Sequence, residues 1–333
     1  MQQLSVTCPA STTATVPVGS TSLPVTFAAP TPTGGTPPVS VACTPASGST
    51  FPIGTTTVSC TATDAINRSA VCQTSVAVKS HTIGVANIVA FGDSITAGEN
   101  GLSGSPSFIG PSTCPSTAAT GLGGIRPLGG AARPQFIDLP NAYPTQLLNL
   151  LTADFTQTFT VDNRGWPQER TDQGIPRLQC VLAVDHPDTV LLLEGINDLA
   201  QGGFSQASMT QIVTDLRTDI QNAHAAGVTF IFVGTLLPNG NCTSSCRGTL
   251  SSNPSIAATN NQIAAMVATQ SSLGATLVDL NAAYVAADSP NFFNLIDTDG
   301  LHPTAAGNAL TAKTFFNAIL AKAPVTSVRR LPR

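Results

Sequence analysis

Four residues spread over more than two hundred positions carry the side chains that acyl transfer needs. Ser94 lies in Gly92-Asp93-Ser94-Ile95, Asn197 in Gly195-Ile196-Asn197-Asp198, and Asp299 and His302 in Asp299-Gly300-Leu301-His302-Pro303. A serine hydroxyl attacks poorly at neutral pH unless a base stands within hydrogen-bond reach and a third group orients that base. Ser94, His302 and Asp299 have the chemistry of nucleophile, base and orienting carboxylate, and the Asn197 amide can donate to a developing oxyanion.

Gly-Asp-Ser alone is an ordinary turn sequence, and Asn197 and Asp299 would serve equally well as turn or capping residues. The surrounding elements separate the two readings. Ala86-Asn87-Ile88-Val89-Ala90-Phe91 has the apolar run of a buried parallel strand, and so has Thr189-Val190-Leu191-Leu192-Leu193. Ser94 and Asn197 then follow strand carboxyl ends, where open α/β sheets place their sites. His302 precedes Pro303-Thr304-Ala305-Ala306, the start of a last helix.

With these blocks in this order, residues 86–322 resemble the SGNH hydrolases, also called the GDSL esterase/lipase family. The resemblance implies Ser94 as nucleophile, with Asp299 and His302 completing a triad. It also implies an oxyanion hole made by the Ser94 N–H, the Asn197 side chain and a backbone N–H from a fourth block. That block often reads Asn-x-Gly-x-x-Gly-x-x-Thr; here it is Asn163-Arg164-Gly165-Trp166-Pro167-Gln168-Glu169-Arg170-Thr171, with Gln168 in the second glycine slot. A backbone donor survives any non-proline substitution, so Gln168 is expected to supply it, or Gly165 if the loop is shifted. The side chain of Gln168 then stands where the family leaves space.

Composition changes near residue 80, which divides the chain into residues 1–80, 81–325 and a basic tail, 326–333. The first 80 residues carry only Asp64, Arg68 and Lys79 as charges. Runs such as Val39-Ser40-Val41-Ala42-Cys43 and Thr57-Val58-Ser59-Cys60-Thr61-Ala62-Thr63 alternate between turn residues, the pattern of short strands in a small β-sandwich. The stretch Ser47 to Thr56, followed by Cys60-Thr61-Ala62-Thr63-Asp64 and Cys72, resembles a hyalin-repeat (HYR) module over residues 4–79. That resemblance implies an immunoglobulin-like extracellular module with a role in adhesion or spacing, and contact with polysaccharide or a cell surface.

The second region alternates apolar runs with helical patterns, as an α/β/α three-layer domain on a parallel sheet requires. Helices are expected over Tyr143 to Leu151 and Gln211 to Ala226. Further strands are expected over Phe159 to Asn163, Thr229 to Gly234 and Thr276 to Leu280. The Gly-, Pro- and Ser-rich stretch from Glu99 to Asn141 leaves the nucleophile turn directly and is expected to wall the substrate cleft.

Eight cysteines divide as Cys8, Cys43, Cys60 and Cys72, then Cys114, Cys180, Cys242 and Cys246. Even counts favour disulfides and an oxidising compartment, and each set of four allows three connectivities. The preferred pairs are Cys8–Cys72, Cys43–Cys60, Cys114–Cys180 and Cys242–Cys246. No histidine pair stands at metal-ligand spacing and no Cys-x-x-Cys occurs, so neither metal nor cofactor is expected. His81 in the linker, His186 in a polar loop and His224 near a helix end are expected to be structural or solvated.

A net charge of -4 and few charged residues argue against a nucleic-acid partner. No signal peptide is visible, and no apolar run reaches the ~18 residues of a membrane span. Arg329, Arg330 and Arg333 read as a frayed tail. The leading expectation is a secreted (extracellular or periplasmic) serine esterase acting on short carboxylic esters, small or polymer-linked. A polysaccharide O-acetylesterase and a binding or adhesion protein with an inactive hydrolase domain are the alternatives.

Overall fold

A computed structural model of the 333-residue chain describes residues 2–17, 20–99, 114, 137–155, 157–323 and 325–328. These fall into two compact units, one within Met1–Gly84, Thr152–Gln157 and Pro324–Arg333, the other within Val85–Leu151 and Thr158–Ala323.

Short strands build the first unit: β1 (Ser5–Thr7), β2 (Thr12–Thr15), β3 (Ser22–Pro24), β4 (Thr31–Thr33), β5 (Ser40–Thr44), β6 (Thr50–Pro52), β7 (Gly54–Thr63) and β8 (Ser69–Ile83). The antiparallel β7–β8 ribbon is its spine, with β5 beside β7 and β2 parallel to β8; β1 pairs with β4 and β3 with β6. Alternation puts Val58, Cys60, Val76 and Val78 on the inner face with Val16, Val25 and Phe51, a thin, mostly valine core. Disulfides Cys8–Cys72 and Cys43–Cys60 reinforce it, and Cys43 faces Cys60 across the β5–β7 ladder. The Asp64 carboxylate locks the β7–β8 turn by accepting from the Thr36, Ile66 and Arg68 N–H groups and the Arg68 guanidinium.

The strand pattern outruns the change in composition at residue 80. β8 continues to Ile83 and pairs antiparallel with Val325–Val328, so His81 lies in a strand and not in a linker. Residues 326–328 are likewise strand and not tail; Arg329, Arg330 and Arg333 lie outside the described residues.

The second unit is organised by five parallel strands: β9 (Asn87–Gly92), β10 (Thr160–Gly165), β11 (Thr189–Leu193), β12 (Phe230–Gly234) and β13 (Ala275–Val278). Their spatial order is β10-β9-β11-β12-β13, so the chain reverses its direction of travel across the sheet between β9 and β11. The carboxyl ends of those two strands are the topological switch point of a doubly wound sheet. Ile88 to Phe91 and Val190 to Leu193 are buried on both faces, which their unbroken apolar runs required.

The intervening helices are α1 (Ser94–Ala97), α2 (Tyr143–Asp154), α3 (Thr171–Asp185), α4 (Ile196–Gln201), α5 (Gln206–Ala225), α6 (Asn253–Thr269), α7 (Leu280–Asp288) and α8 (Ala305–Lys322). α5 packs against both α3 and α6, while α7 packs on α8, with Tyr284 Oη 3.0 Å from Thr311 Oγ1. Tyr143 of α2 stacks on Phe315 of α8 at 5.4 Å between ring centroids, so helices cover the sheet in two groups. The strand expected to reach Leu280 stops at Val278, because Asp279 caps α7 by accepting from the Ala282 N–H. Of the expected cleft wall, residues 100–113 and 115–136 lie outside the described residues. No described helix is long and apolar enough to cross a membrane.

Candidate active site

Three neighbouring strand ends deliver the candidate residues. Gly92 at the end of β9 pairs in register with Gly165 of β10 on one side and Leu193 of β11 on the other. A Cβ on Gly92 would sit 2.0 Å from the Leu193 carbonyl oxygen, and one on Gly165 would sit 2.1 Å from the Ala97 nitrogen. Only glycine lets these turns approach so closely. Past Gly92, Asp93 caps α1 by accepting from the Ile95 N–H at 2.9 Å, which fixes Ser94 as the first residue of the helix.

His302 joins the two other members of the expected triad. Its Nε2 is 2.9 Å from Ser94 Oγ, and its Nδ1 is 2.6 Å from Asp299 Oδ2. The other Asp299 oxygen accepts the N–H groups of Leu301 at 2.9 Å and His302 at 3.0 Å. All three side chains are buried: Ser94 is 4% exposed, Asp299 0% and His302 1%. Burial alone would push the Asp299 carboxyl up, but the hydrogen bond and charge of His302 and the two backbone donors outweigh it and hold Asp299 below its ordinary range. Burial pulls His302 down, yet Glu99 and Asp299 raise it further than burial and Arg247 lower it, leaving the imidazole above its ordinary value.

A second loop holds Asp299 by its backbone. The Arg247 and Gly248 N–H groups donate to the Asp299 carbonyl at 2.9 and 3.1 Å, and those of Thr243 and Ser244 donate to the Thr298 carbonyl. Cys242–Cys246 closes this segment into a small ring. The side chain of Arg247 pairs with Glu99, whose other carboxylate oxygen is 3.6 Å from His302 Nε2.

On the other side of Ser94, the β10 loop turns at Gln168 with φ +67°, the left-handed conformation that glycine adopts most easily. Gly165 N–H is already engaged by Asn163 Oδ1 at 3.0 Å, whereas the Ser94 and Gln168 N–H groups make no hydrogen bond among the described residues. Asn197, on the first turn of α4, donates one amide N–H to the Glu169 carbonyl at 2.9 Å, leaving its second N–H available. Beneath the loop, the buried Arg177 guanidinium pairs with Glu169, donates to the Arg164 carbonyl at 2.8 Å and the Gly92 carbonyl at 3.2 Å, and lies over the Phe91 ring. One cation thus ties the Gln168 loop to the nucleophile turn.

A family model described as GDSL-like lipase/acylhydrolase matches residues 90–310. The chain belongs to this family. An HYR domain model matches residues 2–78. No curated protein matches the chain. Among solved structures, a lipase/acylhydrolase from Enterococcus faecalis is 18% identical, covers 72% of this chain and 97% of its own, and has a TM-score of 0.49. The acetylxylan esterase Axe2 from Geobacillus stearothermophilus is also 18% identical, over 71% of this chain and 94% of its own, with a TM-score of 0.47. A family 3 carbohydrate esterase from Clostridium thermocellum is 18% identical over 71% of this chain and 98% of its own, with a TM-score of 0.45.

In this GDSL-like unit every residue named from sequence lies on the same three strand ends or on the loop that precedes α8. Sequence reasoning missed the ionic groups around them: Glu99, Glu169, Arg177, Glu194 and Arg247. A signal was present. The chain contains only three glutamates: Glu169 lies within a site motif, Glu194 directly precedes one, and Glu99 follows Ile95 of another by four residues. All three are buried, and a glutamate is seldom buried without a specific reason.

Proposed function

We propose that this GDSL-like protein is a serine esterase that cleaves short carboxylic esters through an acyl-enzyme. The observation that carries this reading is His302 standing between Ser94 Oγ and Asp299 Oδ2, at 2.9 and 2.6 Å. The neutral imidazole takes the Ser94 proton as Oγ attacks the ester carbon, and Asp299 keeps Nδ1 protonated and stabilises the charged ring. The N–H groups of Ser94 and Gln168 and the second N–H of the Asn197 amide meet the oxyanion. The charged ring then protonates the departing alcohol, and water repeats the sequence on the acyl-enzyme.

Short acyl groups are favoured because the half-buried Gln168 side chain occupies a place that the family resemblance leaves to glycine. Four disulfides favour an oxidising compartment and hence secretion. Sugar binding by residues 1–80 has little aromatic surface to draw on. Phe27 and Phe51 are the only aromatics there, with Phe51 in the core and Phe27 packed on it.

The test is hydrolysis of p-nitrophenyl esters of increasing acyl length by wild type and Ser94→Ala. The wild type is expected to turn over acetate and butyrate best. Ser94→Ala should lose on the order of 10⁴-fold or more in kcat, as removal of a nucleophile does elsewhere. Equal activity in both proteins would overturn the assignment.

A further inference from the structure

Glu99 is 2% exposed, yet its Oε2 has no hydrogen-bond partner among the described residues. A buried carboxylate oxygen left unpaired is costly, so its surroundings matter. Oε1 is held by the Arg247 guanidinium, and Oε2 stands 3.6 Å from His302 Nε2, the nitrogen that serves Ser94. Backbone geometry ties this pair to both ends of the candidate triad. The Glu99 N–H donates to the Ser94 carbonyl at 2.9 Å, and the Arg247 N–H donates to the Asp299 carbonyl at 2.9 Å.

Resting on the esterase reading above, we propose that Glu99 is a positioning residue for His302. Its Oε2 faces Nε2 and stabilises the charged ring without taking its proton, and Arg247 holds the carboxylate in place for that purpose. The imidazole then lies between two carboxylates, Asp299 at Nδ1 and Glu99 at Nε2. When Ser94 Oγ bonds to the ester carbon, its proton passes to Nε2 and the carbonyl electron pair moves to oxygen. At 3.6 Å Glu99 stabilises the charged ring by electrostatic attraction and does not form a short hydrogen bond. Nε2–H therefore remains available to the departing oxygen as the C–O bond breaks.

Glu99 also sets the pH at which the base becomes available. The groups facing His302 are Asp299 on its own loop, Glu99 after α1, Arg247 on the disulfide loop and Asp93 before Ser94. In acid the ring is already protonated, with both carboxylates favouring its charge, and cannot accept the Ser94 proton. Removing the Glu99 charge should therefore extend activity to lower pH. Removing the Arg247 charge should do the opposite.

The experiment is the pH profile of kcat/KM for p-nitrophenyl acetate in wild type, Glu99→Gln and Arg247→Gln, with Ser94→Ala as control. The acid limb is expected to fall by about one pH unit in Glu99→Gln, the lower end of the shift an opposite charge at this range produces. In Arg247→Gln it is expected to rise. A glutamine that merely kept the packing would leave the limb in place. An unmoved limb in Glu99→Gln, with turnover still dependent on Ser94, overturns the proposal and leaves the esterase reading intact. Turnover that survives Ser94→Ala overturns the esterase reading instead. Titrating His302 by NMR in the Ser94→Ala background, with and without Glu99→Gln, reads the same shift without catalysis. Failure of the imidazole to titrate at lower pH when Glu99 is replaced also overturns the proposal.

Discussion

The Asn197 side chain donates to the Glu169 carbonyl at 2.9 Å, so one amide group anchors the loop that carries Gln168 while its second N–H remains available for the oxyanion. Asn197→Ala removes both the donor and the anchor. The expected result is a loss of about 100- to 1000-fold in kcat/KM, with folding stability lowered by only about 1 kcal/mol for the lost loop hydrogen bond. Steady-state kinetics beside a denaturant melt would check it. Activity equal to wild type would remove Asn197 from the oxyanion hole.

Gln168 has φ +67°, where a residue with a Cβ is strained and glycine is not. Gln168→Gly should stabilise the protein by about 1 kcal/mol, because the relieved strain exceeds the added flexibility of the unfolded chain. The same variant should accept longer acyl chains if the Gln168 side chain limits the pocket. A urea unfolding curve and the ester series together separate the two effects.

Arg177 is 3% exposed and binds Glu169, the Arg164 carbonyl and the Gly92 carbonyl. Replacing it with methionine keeps much of the stem over Phe91 but leaves the Glu169 carboxylate buried and alone. The expected cost is about 3–5 kcal/mol in chemical denaturation. A double variant, Arg177→Met with Glu169→Gln, should recover a good part of that loss, since the uncompensated charge is gone.

Much of this arrangement was legible in the amino-acid sequence, for physical reasons that differ by element. The unbroken apolar runs of β9 and β11 marked strands buried on both faces, and the polar blocks after them therefore fell at strand carboxyl ends. Even cysteine counts left three connectivities open in each region, and the pairing preferred among them is the one the structure forms. The boundary at residue 80 rested on charge content, which does not govern strand pairing; β8 simply alternates on to Ile83. Glu99, Glu169 and Arg177 went unread because burial depends on tertiary approach. Nothing local in Gly98-Glu99 indicates that Arg247, 148 residues away, will cover the carboxylate.

Several buried acids make stability fall as pH rises. Burial, resisted by the Ile95 N–H and the charge of His302, pushes Asp93 up to about 7, and burial pushes Asp198 up to about 6 despite its Thr171 hydrogen bonds. Glu194 and Asp219, buried with no hydrogen-bond partner for any carboxylate oxygen among the described residues, are raised well above the ordinary range by burial and by neighbouring carboxylates. The folded state keeps these protons after the unfolded chain has released them near pH ~4. Their stabilisation is therefore complete below that pH and is lost as pH rises through the folded values. Asp299, held low, acts in the opposite sense and is lost only in stronger acid. The melting temperature should thus peak at mildly acidic pH and decline toward alkaline pH. Asp219→Asn, which keeps shape and neutrality but cannot ionise, should flatten that decline from about pH 4 upward, measured by calorimetry in low-salt buffer. An unchanged slope would mean that Asp219 binds no more proton in the folded state than in the unfolded chain over that range, and that the decline belongs to the other three acids.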